Sequence, residues 1–370
     1  MSVHSTGQLA AQANAPVTPG TTVAVVIPMP GDPDWSIFDE IPADVRIIVP
    51  DDSDGKLAPP PRANVSYFDY TAQRDYMGDH YDAIPHKSAA CRNFGHVVAF
   101  REGYDVIVAL DYDCKVRPGW FQAHLDALTV KTDAPAVAPE RPNGWVNSVT
   151  VEGWYARGYP YELRNPVDAR TTETTATGEV KLHMGVWDGI VDLNGIDRFP
   201  PHDAPPDPGE HKEPLVALGN IPVCGMNTSF RRELAPAYFF LPDLWVDDGS
   251  PGGWQLSRHD DIWGGYIAKR LMDLRGDLLS FGPPVVEHTR LTPGTRTAKI
   301  EHYMHLLAWE FFALVDAASE KVHPDHYGEM FGALSEEFLS EVGRSRAPRH
   351  YLGIYRALGE SMLRWAKVFA

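Results

Sequence analysis

The stretch VIVALDYDC, residues 106–114, indicates both a fold class and a candidate site. Its first five residues are apolar without a break, which is typical of a strand buried on both faces of a sheet. Asp111 and Asp113 follow directly. Because side chains of an extended strand alternate between its two faces, we expect both carboxylates on one face and Tyr112 on the other.

Two carboxylates that lie close together raise each other's pKa unless a cation sits beside them. A divalent ion would supply that charge, and carboxylate oxygens suit Mg²⁺ or Mn²⁺, with nucleotide phosphates completing the coordination shell. Because D-x-D tripeptides are common by chance, the alternative is that Asp111 and Asp113 only decorate a loop. Their position directly after a buried strand favours the metal site.

The flanking segments alternate between short apolar runs and helical patterns. Two further apolar runs, VAVVI (23–27) and VRIIVPDD (45–52), precede a helical stretch at 88–103. This alternation predicts an α/β protein with a mostly parallel central sheet. Ligands bind such sheets at the carboxyl ends of the strands, where Asp51 and Asp111 both fall.

The remainder of the chain is expected to divide into an irregular middle and a helical end. Residues from about 121 to 220 show no regular pattern and include a Pro-rich loop at 198–214, so we expect irregular structure there. After Pro293, apolar residues recur at helical spacing, which predicts helices that cover the core or form a dimer. We therefore expect a disordered segment at 1–22, an α/β domain at 23–295 and a helical C-terminal extension at 296–370. The two apolar sets are Ile300, Tyr303, Met304, Leu307, Phe311, Leu314 and Val315, and Tyr351, Tyr355, Leu358, Met362, Trp365 and Phe369.

Composition excludes several classes of partner. The chain has 370 residues and a formal net charge of −17, which argues against nucleic acid, whose phosphates are bound by clustered Lys and Arg. No apolar run approaches the ~20 residues of a membrane span, and the N-terminus lacks the pattern of a secretory signal. Three cysteines without disulfide or zinc spacing predict buried, reduced thiols in a cytoplasmic protein. They are Cys91, Cys114 and Cys224.

Five blocks of sequence, taken together, resemble the reversibly glycosylated polypeptide family, whose plant members are UDP-arabinopyranose mutases. The similarity runs from about Val23 to His288, whereas the N-terminal segment, the Pro-rich loop and the helical tail match poorly, as in a bacterial branch with a different substrate. The resemblance implies a GT-A-like nucleotide-diphosphosugar fold, which is Rossmann-like, over 23–295. The blocks are KSAACRNFG (87–95), LDYDC (110–114), RGYPYELR (157–164), VCGMNTSFRREL (223–234) and RHDDIWGGYIAK (258–269).

The resemblance also implies a required divalent metal and a nucleotide site. It assigns the metal to Asp111, Asp113 and the late His288, although plant members usually carry a third acidic residue in place of Tyr112. Asp51 would lie near base or ribose, and Lys87 and Arg92 would lie on a helix facing the phosphates unless they are ordinary surface cations. The expected nucleotide contacts are Pro28, Asp51, Lys87, Arg92, Asp111 and Tyr112.

The same resemblance implies four catalytic residues: Arg157, Arg164, Asp260 and Asp261. In the plant proteins the first arginine is regarded as the site of reversible glycosylation, and the second as essential beside it. Because guanidinium stays protonated and is a poor nucleophile, Arg157 could instead hold the departing diphosphate, and the sequence leaves both roles open. Asp260 and Asp261 could cap a helix or could face the sugar hydroxyls, in a pocket shaped by Trp263 and the following glycines.

These features favour a metal-dependent nucleotide-sugar mutase that interconverts pyranose and furanose forms of UDP-arabinose or of a UDP- or GDP-hexose such as galactose. No G-x-G-x-x-G fingerprint is present, so we expect no flavin. The alternative is a metal-dependent glycosyltransferase that moves the sugar to a separate acceptor. A third hypothesis is a scaffold that is merely glycosylated on Arg157. The C-terminal helices could join two copies into a homo-oligomer.

Overall fold

The computed structural model describes residues 20–31, 34–58, 62–199, 207–246, 254–289 and 293–370. We expect disorder over 1–22, and residues 1–19 of that segment lie outside these ranges. Residues 200–206 of the Pro-rich loop also lie outside them. Both expectations stay predictions. Thr22 itself is held in place, because its backbone N–H donates to the Asp105 carboxylate at 2.8 Å.

Helices and strands account for most of the part of the chain that is described. The strands are β1 Val23–Val26, β2 Arg46–Pro50, β3 Val65–Phe68, β4 Val106–Leu110, β5 Cys114–Lys115, β6 Val130–Pro139, β7 Thr171–Gly189, β8 Leu215–Ala217, β9 Asn227–Arg231, β10 Leu244–Val246, β11 Trp254–Leu256 and β12 Leu278–His288. The helices are α1 Tyr70–Met77, α2 Arg92–Arg101, α3 Trp120–Ala127, α4 Asp260–Arg275, α5 Gly294–Ser319, α6 Tyr327–Arg344 and α7 Arg349–Ala366.

Ten strands form one sheet in the order β3-β2-β1-β4-β9-β7-β6-β8-β12-β5, and β10 pairs with β11 in a separate hairpin. The segment β3-β2-β1-β4 is parallel, whereas β9 lies antiparallel to both β4 and β7. The α/β class is confirmed, but the expectation of a mostly parallel sheet is wrong, because the sheet is mixed. Antiparallel neighbours need no crossover helix, and β7 lies antiparallel to both β6 and β9, with no α-helix in the described residues between β6 and β9.

The expectation of irregular structure over 121–220 is also wrong, since β6 and the 19-residue β7 lie there. The first residues of β7 are exposed, and Val130 at the start of β6 is 58% exposed. Side chains at a solvent-facing part of a sheet need not be apolar, so this segment lacks the run of buried residues that marks β4. The second half of β7 is buried and pairs with β9 and β12.

The C-terminal helices cover the core, as the helical spacing predicts. On α5 the apolar set is buried except for Ile300, which is half-buried. Trp365 on α7 is buried and donates its indole N–H to the Pro236 carbonyl at 2.9 Å. Phe369 lies just beyond α7 and packs against Phe100. Contacts within the chain therefore account for the two apolar sets of residues. Association between copies stays a prediction.

Two predictions from composition can be compared with the described residues. Cys91, Cys114 and Cys224 are buried and form no disulfide, which confirms the expectation of buried thiols. None of the helices in the described ranges combines the length and apolar character that crossing a bilayer requires.

Candidate active site

A turn follows β4 where the sequence predicts continued strand. The Cys114 N–H donates to the Asp111 carbonyl at 3.2 Å, so residues 111–114 fold back on themselves. The expected alternation of Asp111, Tyr112 and Asp113 along an extended strand is therefore wrong. Both carboxylates nevertheless line one cavity of about 160 Å³ at the carboxyl end of β4.

Seven of the residues proposed from the sequence line this cavity, although they come from distant parts of the chain. The fold brings them together because α2 and α4 both begin here, and β4 and β12 both end here. Ligand sites at the carboxyl ends of strands are the rule in α/β sheets. The seven are Arg92, Asp111, Asp113, Arg157, Asp260, Asp261 and His288.

His288 reaches Asp113 because the end of β12 pairs with β5, directly after the turn. Its Nε2 lies 3.9 Å from Asp113 Oδ2, and its Nδ1 lies 2.7 Å from the Ile190 carbonyl. A carbonyl can only accept, so Nδ1 carries a proton and donates it to Ile190, and Nε2 is the ring nitrogen that faces the carboxylate. Burial, with a further contribution from Asp111, raises the pKa of Asp113 to about 6.

Asp111 is paired with Arg92, whose Nη2 donates to Oδ1. Arg92 is almost fully buried, and its other donors reach the carbonyls of Gly225 at 2.6 Å and Ala89 at 3.0 Å. The positive charge of Arg92 therefore already compensates that of the Asp111 carboxylate without a bound metal ion. Within the described ranges no group of three or more His, Cys, Asp or Glu side chains is arranged to hold a metal ion. The donors present are thus the Asp113–His288 pair, with Asp111 beside it.

All five N–H donors of Arg157 point at acceptors of the protein. Nε donates to Asp192 Oδ2 at 2.7 Å. Nη1 donates to Asp261 Oδ1 at 2.9 Å and to the Arg258 carbonyl at 2.7 Å, and Nη2 donates to Asp261 Oδ2 at 2.5 Å and to Cys224 Sγ at 3.8 Å. Burial opposes the charge, but the two carboxylates outweigh it and raise the pKa of Arg157. This guanidinium is charged and fully engaged.

The neighbours Asp260 and Asp261 differ in charge state. Burial pushes the pKa of Asp261 upward, but Arg157 and the Gly225 N–H hold it below its usual value. For Asp260, burial and then Asp261 and Asp243 raise the pKa to about 8. No described residue donates a hydrogen bond to its carboxyl group. A protonated and an ionised carboxyl group side by side are an arrangement suited to proton transfer.

Three charged or polar residues of the cavity wall were missed by sequence reasoning: Asp192, Arg198 and Arg258. Burial opposes ionisation of Asp192, but Arg157 and Arg258 hold its pKa well below the usual range. Asp192 and Arg198 lie after β7, in the region expected to be irregular. The run WDGIVDLNGIDR (187–198), with charged residues following an apolar stretch, is the signal that could have identified them.

Arg164 and Lys87 lie away from the cavity. Arg164 pairs with Asp197, Nη1 to Oδ2 at 2.9 Å, and its guanidinium lies over the ring of Tyr161. Lys87 is exposed, and its backbone has a φ of 58°, which a right-handed helix does not allow. Because α2 begins only at Arg92, the expectation that Lys87 lies on that helix is wrong.

The remaining candidate residues lie along the carboxyl ends of the parallel strands or behind the cavity. Asp51 follows β2 as expected, but it is buried and accepts from the Tyr67 hydroxyl at 2.6 Å and the Ser53 N–H at 2.7 Å. Pro28 is buried beyond β1, and Tyr112 is half-buried in the turn. Trp263 stacks on Phe311 of α5 and does not line the cavity.

Comparison with known proteins assigns the part of the chain that carries the cavity to one protein family. The reversibly glycosylated polypeptide family matches residues 36–310, about three quarters of the chain. A probable UDP-arabinopyranose mutase 4 of Arabidopsis thaliana is 28% identical over 239 residues, which is 61% of this chain and 57% of the relative. The UDP-arabinopyranose mutase 1 of the same plant is 28% identical over 227 residues, 58% of this chain and 55% of the relative.

A longer alignment joins the chain to a probable UDP-arabinopyranose mutase 1 of Solanum tuberosum, which is 24% identical over 297 residues, 79% of this chain and 74% of the relative. Of the two Arabidopsis relatives, by contrast, the chain spans little more than half the length. Every residue of the cavity falls inside the family match. The chain belongs to the reversibly glycosylated polypeptide family.

Proposed function

We propose that this protein is a metal-dependent nucleotide-sugar mutase that interconverts the pyranose and furanose forms of an NDP-sugar without flavin. One observation carries the proposal: Asp260, whose pKa is raised to about 8, and Asp261, whose pKa is lowered, share a cavity with the Asp113–His288 pair. The names of the curated relatives, UDP-arabinopyranose mutases, support the same reaction. A ring contraction needs an acid, a base and stabilisation of the leaving diphosphate, and this cavity offers groups for each.

The donor set fits a divalent metal. Asp113 Oδ2 and His288 Nε2 are 3.9 Å apart, and donors of one octahedral ion with bonds of about 2.1 Å lie about 3 to 4 Å apart. Mg²⁺ commonly takes one or two protein ligands and completes its shell with substrate phosphates and water, so a third ligand from the chain is not required. Asp113 and His288 would hold Mg²⁺ or Mn²⁺, with Asp111 beside them and paired with Arg92. The metal would draw negative charge from the diphosphate as it departs.

Asp260 is suited to carry the proton of the rearrangement, because with a pKa of about 8 it is protonated near neutral pH. In the proposed reaction the C1–O bond to the diphosphate breaks, and its electron pair passes to the diphosphate. A different sugar hydroxyl bonds to C1 while the former ring oxygen leaves with its electron pair. Asp260 gives its proton to that oxygen and receives the proton of the attacking hydroxyl. The diphosphate then returns to C1, so reactant and product differ only in ring size.

We assign Arg157 the role of an ion-pair partner and not of a nucleophile. Covalent capture of the sugar requires a guanidinium nitrogen with a free lone pair, whereas every donor of Arg157 is engaged and its pKa is raised. Arg157 fixes the orientation of Asp261 and the adjoining start of α4, where Asp260 lies. It is therefore a positioning residue in this proposal.

The nucleotide would lie along the carboxyl ends of β1, β2 and β4, as in a GT-A-like fold. Pro28, Asp51 and Tyr112 lie at these strand ends. The Asp51 carboxylate already accepts two hydrogen bonds from the protein, but a carboxylate offers about four acceptor positions, so contacts with base or ribose use the others. Both UDP and GDP meet this requirement.

Incubation of the purified protein with Mn²⁺ and a panel of UDP- and GDP-sugars, without acceptor, tests the proposal. Anion exchange and NMR should reveal a new furanose nucleotide at equilibrium with the pyranose form. Release of free nucleoside diphosphate alone would identify a glycosyltransferase instead, and a gain in protein mass without a free product would identify a glycosylated scaffold. The variant Asp260→Asn should lose the furanose product while still binding the nucleotide sugar.

A further inference from the structure

The Arg198 guanidinium lies almost buried in the cavity wall and, among the described residues, has no carboxylate within hydrogen-bond distance. Its side chain is 8% exposed, and its Nη2 donates to the Val191 carbonyl at 2.7 Å. Its nearest described carboxylate oxygen is Asp192 Oδ1, at 3.8 Å, which is beyond hydrogen-bond distance. Among the described residues, the remaining donors of Arg198 find no acceptor. Buried charged groups are normally hydrogen-bonded, so a buried guanidinium that faces a cavity in this way points to an anionic ligand.

The charge of Arg198 is also less well compensated than that of its neighbours. Carboxylates raise the pKa of Arg157 and Arg258 above its usual value, although burial opposes the charge. At Arg198 burial prevails and the pKa is lowered. Asp192 is shared by all three guanidiniums, and its closer bonds go to Arg157 and Arg258. An anion from a substrate would supply the missing partner.

Arg258 bonds to the same Asp192 carboxylate that Arg198 approaches, and it is also bonded to α5. Its Nη2 donates to Asp192 Oδ1 at 3.0 Å, the same oxygen that Arg198 approaches, so the two Nη2 atoms are no more than about 7 Å apart. Its Nε donates at 2.7 Å to Glu301 of α5. Glu301 is 1% exposed and also accepts the Gly195 N–H at 2.6 Å, which ties down the segment that carries Arg198.

We propose that Arg198 and Arg258 form a clamp for the diphosphate of the nucleotide sugar, and that Glu301 positions this clamp. The inference rests on the proposed function only in taking the ligand to be a nucleoside diphosphate. Guanidinium groups bind phosphate oxygens through paired, charge-assisted hydrogen bonds. When the C1–O bond breaks, the electron pair moves to the diphosphate, and a clamp that strengthens with this added charge stabilises the departing group. The clamp and the Asp113–His288 pair line the same cavity and would hold the diphosphate between them.

The clamp predicts selectivity for diphosphates over monophosphates. Calorimetric titration of the full chain with UDP, UMP, GDP and GMP, in the presence of Mn²⁺, measures this selectivity directly. Arg198→Gln should weaken binding of the preferred diphosphate by about tenfold or more, since a hydrogen bond to a charged group is typically worth at least that factor. Binding of the matching monophosphate should change much less. Arg198→Lys, which keeps the charge but not the paired geometry, should recover only part of the loss.

Arg344→Gln is the matched control, because Arg344 is 62% exposed and pairs with Glu341 on the surface of α6. Its diphosphate and monophosphate affinities should equal those of the wild type. Glu301→Gln should weaken diphosphate binding in the same direction as Arg198→Gln. The clamp is refuted if folded Arg198→Gln and Arg198→Lys proteins keep the wild-type ratio of diphosphate to monophosphate affinity, or if the wild type shows no preference for diphosphates. Nucleotide binding needs no ring rearrangement, so the clamp can hold for a protein without mutase activity, and mutase activity can persist without the clamp.

Discussion

Arg157 and Asp261 form a bidentate ion pair in the wall of the cavity, with Nη1 2.9 Å from Oδ1 and Nη2 2.5 Å from Oδ2. Both side chains are more than nine-tenths buried. The pair joins the segment after residue 156 to the start of α4, and Asp192 binds the remaining edge of the guanidinium. One arginine thus sets the position of two carboxylates that the chain separates widely.

Removal of Arg157 should destabilise the protein strongly. Arg157→Ala leaves Asp192 and Asp261 buried without their main partner, and breaking a buried ion pair costs about 3 to 5 kcal/mol. Urea unfolding followed by fluorescence measures the free energy of unfolding. The matched control is Arg141→Ala, since the Arg141–Asp168 pair is 47% and 31% exposed. Exposed pairs contribute about 0 to 1 kcal/mol. Equal losses in both variants would contradict a central role for Arg157.

Metal binding should depend on Asp113 and His288. Asp113→Asn and His288→Ala each remove a donor of the proposed site, and we expect Mn²⁺ affinity to fall at least 10- to 100-fold, since even partners outside the ligand shell have effects of that size. Titration with Mn²⁺ followed by electron paramagnetic resonance measures the affinity, and chelation should abolish turnover of the nucleotide sugar. Asp126→Asn, at an exposed position of α3, is the control. Full activity after thorough chelation would rule the metal out.

The proton on Asp260 should make activity fall as the pH rises. Its pKa is raised from 3.8 to about 8, so the carboxyl group can donate a proton below about pH 8 and loses this ability above it. A rate profile from pH 5 to 10 should show a descending limb near pH 8. In Asp260→Asn the activity should be low throughout, without that limb. A profile that stays flat across pH 8 in the wild type would exclude Asp260 as the acid.

The same pKa shift should also appear in the stability of the fold. Because the pKa of folded Asp260 lies above that of the unfolded chain, the folded state binds this proton more tightly, so its contribution is complete below about pH 4 and is lost as the pH rises to about 8. Asp260→Asn removes this dependence. The melting temperature of the variant relative to the wild type should therefore be higher at pH 8 than at pH 5. A difference that does not change between these pH values would contradict the raised pKa.

Two glycines with similar φ angles allow backbone strain to be distinguished from displacement of the Arg157–Asp261 ion pair. Gly158 has a φ of +83° and Gly153 a φ of +81°, so alanine at either position costs about 1 to 2 kcal/mol of backbone strain. At Gly158 the added methyl group would lie 2.6 Å from Ile262, whereas at Gly153 nothing lies within 4 Å. Because Gly158 follows Arg157 and Ile262 follows Asp261, Gly158→Ala should displace that ion pair and lower activity at least tenfold. Gly153→Ala should keep full activity, and equal activities in the two variants would contradict this.

The parallel half of the sheet and its C-terminal cover were predictable because their signals are local. The unbroken apolar run of β4 and the helical spacing from Tyr303 to Val315 each reflect burial of one segment, which periodicity reports directly. The turn after β4 was not predicted, since its hydrogen bond from Cys114 to Asp111 leaves no mark on apolar periodicity. The strands of the mixed half were missed for a related reason. Much of β6 and the start of β7 face solvent and carry Thr, Lys and Glu.

By itself the sequence determined the α/β class, the family and seven residues that line the cavity, because apolar periodicity and motif blocks are local features of the sequence. Only the tertiary structure decided which charges meet. The roles of Asp192 and Arg198 in the site depend on Arg157, Arg258 and Glu301, which lie in other parts of the chain. Ion pairing depends on distance in space and on burial, and neither quantity can be read from the spacing of residues in one sequence.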